Sequence, residues 1–112
     1  MLMTSTVEQS ADGKAVVTVN GALTLGTSLK ILDGQIQHLV DGDVRDLLLD
    51  LSAVDYADSA GLGLLIHTYG LLDAKQGKLR LTGVQPRVAE LIRMTKLDTF
   101  LLIGESSEAA RA

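Results

Sequence analysis

The chain has 112 residues, which is enough for one domain with a single core. Hydrophobic residues make up 46% of it but aromatic residues only 3%, so it has few rings on which nucleic-acid bases could stack. Its formal charge of -4 comes without a basic run, and this pattern excludes nucleic acid as the expected partner.

The chain contains no cysteine, which excludes disulfides, thiolate chemistry and cysteine-ligated metals. No apolar run is long enough to span a bilayer, and residues 1–9 lack the basic start and apolar stretch of a signal peptide. We therefore expect a cytoplasmic protein that is not inserted into a membrane and that uses no cofactor and no metal.

The first half of the chain predicts a hairpin, a helix and a buried strand. Strands over residues 6–9 and 15–19 flank Asp12-Gly13, a dipeptide typical of tight hairpins. Apolar residues at three- and four-residue steps predict a helix over residues 27–40, which Thr27 or Ser28 can cap and Gly42 can end. The apolar run over residues 44–51 predicts a strand covered on both faces.

The second half continues this alternation. A helix is predicted from Ser59 to near Gly77, a strand over residues 78–81, and a helix over residues 85–96 with Pro86 as its first residue. A short strand over residues 100–103 and a terminal helix over residues 105–112 follow.

This order predicts a single α/β domain over residues 1–112. Its sheet is mixed and mostly parallel, with four to five strands, an N-terminal antiparallel hairpin and helices packed against it. In such sheets, functional sites gather at the carboxyl ends of the strands. The stretch DYADSAGLGLLI, residues 55–66, follows one of those ends.

Ser59 in this stretch supports two interpretations. As a helix cap, its hydroxyl accepts hydrogen bonds from the free amides of Gly61 or Leu62. As a phosphorylation site, it places a phosphate at the positive end of a helix dipole, while Gly61 and Gly63 leave room for an incoming group. Asp58 can orient the hydroxyl or cap the helix, and its charge repels a phosphate once one is attached.

Catalytic and metal-binding interpretations are weaker. His38 and His67 lie on separate predicted helices, and ADSAG lacks the glycine-serine-glycine spacing of a nucleophile elbow. We therefore predict that the chain is not an enzyme and that His67 is a solvent-side or boundary residue. Asp50, Asp55 and Asp58 are more simply explained by a solvated strand-helix turn than by a metal site.

The run DLSAVDYADSAGLGLLI, preceded by VRDLLL and followed by a strand and a proline-initiated helix, resembles the STAS domain of anti-sigma factor antagonists. The resemblance extends from NGAL at residues 20–23 through QPRVAELIRMTKLDTFL. It implies a partner-switching protein that binds an anti-sigma factor serine kinase when unphosphorylated and thereby releases a sigma factor. The kinase uses ATP to phosphorylate the antagonist, which then dissociates, and a PP2C-type phosphatase resets it.

By this resemblance Ser59 is the phosphoacceptor. The implied partner-binding residues are Gly21, Ala22, Thr24, Asp58, Ala60, Gly61, Leu62 and Gly63.

Two departures from the family pattern concern that surface. Many antagonists have Gly-Glu-Leu-Asp where this chain has Gly21-Ala22-Leu23-Thr24, so two carboxylates of the usual kinase-facing surface are missing. Ala60 stands where many have a second serine or threonine, which leaves Ser59 as the one hydroxyl of the motif.

Two other classes of protein remain as alternatives. A phosphorelay receiver would accept phosphate on Asp50, but it needs an acidic pair near residues 20–22 and a lysine near residues 103–105, and neither is present. A STAS subunit of a membrane transport complex or signalling scaffold would share the fold and keep Ser59 only as a cap. The missing acidic residues at positions 22 and 24 keep that alternative open.

Overall fold

The computed structural model describes residues 3–97 and the backbone of residues 102–103. The strands in this part of the chain are β1 (Thr4–Gln9), β2 (Lys14–Asn20), β3 (Asp46–Ala53), β4 (Lys78–Thr82) and β5 (Leu102–Ile103). The helices are α1 (Thr27–Asp41), α2 (Ser59–Asp73) and α3 (Pro86–Met94). The predicted terminal helix over residues 105–112, and the start of the predicted strand over residues 100–103, lie outside the described residues.

The strands form one sheet in the order β1-β2-β3-β4-β5. β1 pairs with β2 antiparallel, and every later neighbour pairs in parallel. This arrangement confirms the predicted α/β fold with a mostly parallel sheet and an N-terminal hairpin. Gly13 makes the hairpin turn with a φ of 83°, which glycine adopts without the steric cost of a side chain.

β3 lies in the middle of the sheet and is buried on both faces. Its residues from Leu47 to Leu51 are all buried, including the carboxylate-bearing Asp50. A strand with one wet face would alternate instead, so the unbroken apolar run correctly predicted a strand covered on both sides.

The helices contribute one apolar stripe each to the core. The buried residues of α1 follow the three- and four-residue steps from which the helix was predicted: Leu29, Leu32, Ile36, Leu39 and Val40. α2 packs beside α1 and against β4, and α3 buries Val88 and Ile92. Residues 54–58 alone separate the end of β3 from the start of α2, so the N-terminus of α2 lies near the carboxyl end of β3.

Several predicted boundaries are wrong. Gly26 occupies the cap position of α1 and no side chain caps it, so Thr27 and Ser28 lie inside the first turn. α2 ends at Asp73 and not near Gly77, because the amide of Gly77 turns back to the carbonyl oxygen of Leu72 at 2.7 Å. α3 ends at Met94, two residues earlier than predicted.

The boundaries set by special residues are confirmed. Gly42 ends α1, and its amide donates to the carbonyl oxygen of His38 at 3.2 Å. Pro86 is the first residue of α3, where its missing amide leaves no hydrogen bond unmade. None of the three described helices combines the length and apolar content that a membrane crossing requires.

Two isoleucines of α1 test the position of the core. Ile36 is fully buried and Ile31 is 57% exposed. We expect Ile36→Ala to lower the free energy of unfolding by about 2–5 kcal/mol, because it removes packed atoms and leaves a cavity. Ile31→Ala, the matched control, should change it by no more than about 0.5 kcal/mol. Urea unfolding followed by circular dichroism measures both, and equal losses would contradict the assigned face of α1.

Candidate functional site

Two segments meet at the carboxyl ends of β2 and β3. We call residues 21–26 the β2–α1 loop and residues 54–58 the β3–α2 segment. Backbone hydrogen bonds join them in both directions, from the amide of Leu23 to the carbonyl oxygen of Tyr56 (2.9 Å) and from the amide of Asp58 to the carbonyl oxygen of Leu23 (3.0 Å). The amide of Gly21 donates to the carbonyl oxygen of Ala53, the last residue of β3 (3.1 Å). The start of α2 and the β2–α1 loop are therefore one hydrogen-bonded unit.

The side chain of Asp58 completes this unit. Its Oδ1 accepts from the amide of Gly61 at 3.0 Å and so caps α2, while its Oδ2 accepts from the amide of Leu25 at 3.0 Å. Two backbone hydrogen bonds hold the pKa of Asp58 below its usual range, and the bond from Leu25 has a larger effect than the bond from Gly61. Asp58 is thus a charged bridge between the helix and the loop.

This arrangement corrects the interpretation of Ser59 as a helix cap. Ser59 is the first residue of α2, one position after the cap, and it is exposed. The two amides expected to bond its hydroxyl are occupied, Gly61 by the Asp58 side chain and Leu62 by the Asp58 carbonyl oxygen. Among the described residues the Ser59 hydroxyl has no hydrogen-bond partner, which leaves it open to a reactant.

The Asp58 carboxylate makes no hydrogen bond to the Ser59 hydroxyl among the described residues, so the expected orienting contact is not formed, and a role of Asp58 as the base stays a prediction. Both of its carboxylate oxygens bond backbone amides. The expectation placed the carboxylate by sequence adjacency alone, whereas consecutive residues at a helix start point their side chains in different directions.

The two glycines of the motif differ in their surroundings. A methyl group on Gly61 would collide with the carbonyl oxygen of Leu23 and lie 2.8 Å from the Leu23 Cβ, so this glycine lets the loop approach the helix. The same group on Gly63 would meet nothing within 4 Å. Of the two, only Gly63 leaves room for an incoming group, and the expectation for Gly61 was wrong.

The other residues of the predicted partner surface also fall into two groups, one buried and the other partly exposed. Leu62 is 8% exposed and belongs to the core, so its side chain offers a partner little area. Ala60 is partly exposed beside Ser59, and Gly21, Ala22 and Thr24 are half-buried along the β2–α1 loop. Their role in partner binding stays a prediction.

Sequence reasoning missed three exposed residues at this end of the molecule. Leu25 is 76% exposed on the loop that Asp58 holds, and Tyr56 is 44% exposed three residues before Ser59. The guanidinium carbon of Arg87, in the first turn of α3, lies 5.7 Å from the centre of the Tyr56 ring, which is cation–π distance. No local signal marked these residues as part of a site, because single apolar or aromatic residues are common on protein surfaces.

The remaining titratable residues do not converge on Ser59. Asp50 accepts from the amide and hydroxyl of Ser52 at 3.0 and 2.7 Å, and Asp55 is exposed. No group of side chains that could hold a metal ion occurs in the described part of the chain. His67 lies on the solvent side of α2, one of the two predicted positions; its side chain is 54% exposed and its Nε2 is 4.0 Å from Asp33 of α1.

Comparison with known proteins identifies this combination of fold and motif. The STAS domain family matches residues 5–110. A curated relative, the anti-sigma-B factor antagonist of Staphylococcus aureus, is 32% identical over 92 residues, which are 82% of this chain and 84% of the relative.

Solved structures agree. An anti-sigma factor antagonist from Mycobacterium paratuberculosis superposes with a TM-score of 0.82 at 29% identity, covering 97% of this chain and 91% of its own. SpoIIAA in its unphosphorylated form gives a TM-score of 0.82 at 19% identity and coverages of 96% and 92%, a likeness of fold alone. The chain belongs to the STAS domain family and, within it, to the anti-sigma factor antagonists.

The contact between Gly61 and Leu23 predicts opposite effects for one substitution at two positions. Alanine favours a helix over glycine, so Gly63→Ala should raise the free energy of unfolding by about 0.5–1 kcal/mol. Gly61→Ala should lower it by about 1–3 kcal/mol, because its methyl group displaces Leu23. Chemical unfolding of both variants gives the comparison. A gain in stability at both positions would show that the loop does not pack on α2 as described.

The lowered pKa of Asp58 predicts a pH-dependent contribution to stability. A carboxylate whose pKa is depressed by folding stabilises the protein above its ordinary pKa of about 3.9 and loses that contribution as the pH falls below it. The side chain of the Asp58→Asn variant does not titrate. If its oxygen caps the amide of Gly61, its NH₂ group faces the amide of Leu25, and that hydrogen bond is lost.

The wild type should therefore be more stable than Asp58→Asn near neutral pH. The difference should shrink when urea unfolding is repeated at about pH 3. Because the other carboxylates are common to both proteins, their titration cancels in the difference. A gap that stays constant over this range would mean that Asp58 does not bridge the helix and the loop.

Proposed function

We propose that this chain is a phosphorylation-controlled partner-switching protein whose acceptor is Ser59. In its unphosphorylated form it binds an anti-sigma factor kinase, and the sigma factor held by that kinase is released. The observation that carries the proposal is the state of Ser59: an exposed residue at the first position of α2, with a hydroxyl that is not engaged by the described residues.

The chemistry requires only that a kinase reach this hydroxyl. The Ser59 Oγ attacks the γ-phosphorus of ATP bound to the kinase, the bond to the β-phosphate breaks, ADP leaves, and the hydroxyl proton passes to a base. Asp58 makes no hydrogen bond to this hydroxyl among the described residues, and its lowered pKa makes it a weak base, so we assign the base to the kinase. The chain is a substrate and a binding protein, and a PP2C-type phosphatase reverses the modification by hydrolysis.

The phosphate then acts by charge. It adds about 1.5 to 2 negative charges beside Asp58, whose lowered pKa keeps it ionised. The fold resists relief of this repulsion, since Asp58 is held by two hydrogen bonds and Gly61 is held against Leu23. The two neighbouring negative charges therefore stay in place, and together they oppose binding of any partner surface that covers Ser59.

The β2–α1 loop helps to select which partner binds. With Ala22 and Thr24 in place of two carboxylates, the loop presents no negative charge between Gly21 and Gly26. Its exposed group is the apolar side chain of Leu25. The matching surface of the kinase is accordingly apolar at this point, and phosphate on Ser59 supplies the new charge that disrupts it.

Two substitutions at Ser59 test the switch. Ser59→Ala should fold and bind the purified anti-sigma factor kinase with at least wild-type affinity. Ser59→Asp should bind at least about tenfold more weakly, because a second carboxylate beside Asp58 is repulsive at a desolvated interface. Gln9→Glu, an exposed position in β1 at the opposite end of the sheet, is the control for added charge alone. Isothermal titration calorimetry measures all three affinities.

Equal affinities of Ser59→Ala and Ser59→Asp would end the switch proposal. Incubation of the wild type with the kinase and ATP, followed by mass spectrometry, gives an independent result: phosphate is expected on Ser59, and phosphate on Asp50 would favour a receiver. Recovery of a transporter from the native host in place of a kinase would favour a transport subunit.

A further inference from the structure

β1 forms one edge of the sheet and is paired on one side only. Five of its six residues are exposed, so neither of its faces is fully covered. Among the described residues no backbone group bonds its outer side. The unpaired amides and carbonyl oxygens of such an edge are a template on which another strand can pair.

The hydrogen bonding of the hairpin shows which residues point outwards. The amide of Ser10 donates to the carbonyl oxygen of Lys14 at 3.0 Å, so these two residues are a hydrogen-bonded pair. Such pairs alternate with non-hydrogen-bonded pairs along antiparallel strands, and in this register every second residue before Ser10 bonds β2. The backbone groups of Ser5, Val7 and Gln9 therefore point away from β2, towards the free edge.

β1 lacks the features that keep edge strands from pairing. Natural edges are blocked by lysine, proline, a bulge or a very short strand. TSTVEQ contains no lysine and no proline, its register with β2 has no bulge, and its six residues are an ordinary strand length. Its one charged side chain is that of Glu8. The edge is therefore open to a second strand.

The sequence of β1 is complementary to itself when two copies run antiparallel. Outward-pointing residues must face each other across such a pair. A single register joins all three of them, with Val7 opposite Val7 and Ser5 opposite Gln9. In that register Thr6 lies opposite Glu8, so no carboxylate directly faces another, and apolar meets apolar while polar meets polar. This symmetry favours a second copy of the chain over an unrelated strand as the partner.

α1 extends the same surface. The Ser5 hydroxyl donates to Oε1 of Gln35 at 2.6 Å, which holds the Gln35 side chain beside β1. An open groove of about 280 Å³ is lined by Gln9 and, from the end of α1, by His38 and Leu39. With Ser5 of one copy opposite Gln9 of the other, Gln35 comes next to this groove. Contacts from α1 thus add to those of the two strands.

We propose that β1 is the interface of a two-fold symmetric homodimer. A second copy of this chain pairs antiparallel across Val7 and joins the two five-stranded sheets into one continuous sheet. The three facing pairs exchange about six backbone hydrogen bonds, two for each pair. Because Val7, at the centre, is only 38% exposed, the strands bury little apolar area, and the dimer forms reversibly as the concentration rises.

The dimer leaves both acceptor sites accessible. Ser59 starts α2 beyond β3, which lies two strands away from β1. Antiparallel pairing turns the carboxyl ends of β3 in the two copies in opposite directions. Each copy therefore keeps its own surface for a partner, and the dimer forms whether or not Ser59 is phosphorylated.

Disulfide formation tests the register. The chain has no cysteine of its own, so Thr6→Cys and Glu8→Cys each carry a single thiol. Residues 6 and 8 of opposite copies lie about 4.5 Å apart between Cα atoms, within reach of a disulfide. Two copies of residue 6, or two of residue 8, are diagonal neighbours about 7–8 Å apart, which is too far. Mild oxidation of an equal mixture should therefore yield the mixed dimer, identified by intact mass, in large excess over either homodimer.

A substitution at the free edge tests the dimer without any cross-link. Because the amide of Val7 points outwards, Val7→Pro removes no hydrogen bond to β2 and should keep the circular dichroism of the wild type. It removes two of the interface bonds and should weaken dimerisation at least about tenfold in sedimentation equilibrium. Val7→Ile, the matched control, keeps the amide and the β-branched side chain and should dimerise within about twofold of the wild type.

The outcomes distinguish this dimer from other uses of the edge. A wild type that stays monomeric up to about 1 mM overturns it, as do mixed and homodimeric disulfides in statistical proportions. Val7→Pro should bind the purified anti-sigma factor kinase with wild-type affinity. A folded Val7→Pro that loses the kinase would assign the edge to that partner and end the homodimer proposal. Failure of the dimer leaves the switch at Ser59 untouched, since phosphorylation is measured on a different surface.

Discussion

The carboxylate of Asp58 joins the two segments from which the site is made. It caps α2 through the amide of Gly61 and holds the β2–α1 loop through the amide of Leu25. A neutral side chain could accept one of these hydrogen bonds, but an ionised carboxylate accepts both at once and gains strength from its charge. The close approach of the loop has a second requirement, which is that residue 61 carries no side chain, because Leu23 occupies that space. The charge of Asp58 and the absence of a side chain at Gly61 are thus two parts of one contact.

That contact explains why the backbone of Ser59 is fixed while its side chain is exposed. The serine follows the cap residue, so it starts the helix with its backbone fixed and its side chain outside the hydrogen-bonded unit. Since Asp58 already neutralises the helix N-terminus, a phosphate on Ser59 gains little from the free amides that a bare helix end would offer. In the proposed switch, phosphorylation therefore leaves the fold in place and changes the electrostatic potential at the surface that a partner contacts. Leu25 and Tyr56 are exposed on the two segments that meet at this point, so a new charge on Ser59 would stand beside apolar surface.

The fold could be predicted from the sequence to the extent that burial leaves a periodic pattern. The stripe of α1 and the unbroken apolar run of β3 identified their elements and their surroundings, and Pro86 and Gly42 marked boundaries that backbone chemistry determines. Boundaries that depend on tertiary contacts were misplaced. The end of α2 is set by a turn whose last residue, Gly77, packs closely on the backbone of Arg45, and no local signal reveals this neighbour. The cap of α2 was also ambiguous, because Asp58 and Ser59 are both good capping residues and the sequence does not say which of them caps the helix.

By itself the sequence determined the class of fold and the family and pointed to Ser59 as the proposed acceptor, because these depend on hydrophobic periodicity and on a short motif that is contiguous in the chain. Tertiary structure decided what each residue of the motif does. Gly61 and Gly63 are alike in sequence, yet one is covered by Leu23 and the other faces open space. Asp58 is adjacent to Ser59 in the chain, yet it bonds a loop 33 residues away. Asp33 and His67 come from different helices and meet only where α1 packs on α2. Such distinctions arise from contacts between distant segments, and periodicity along one segment carries no information about them.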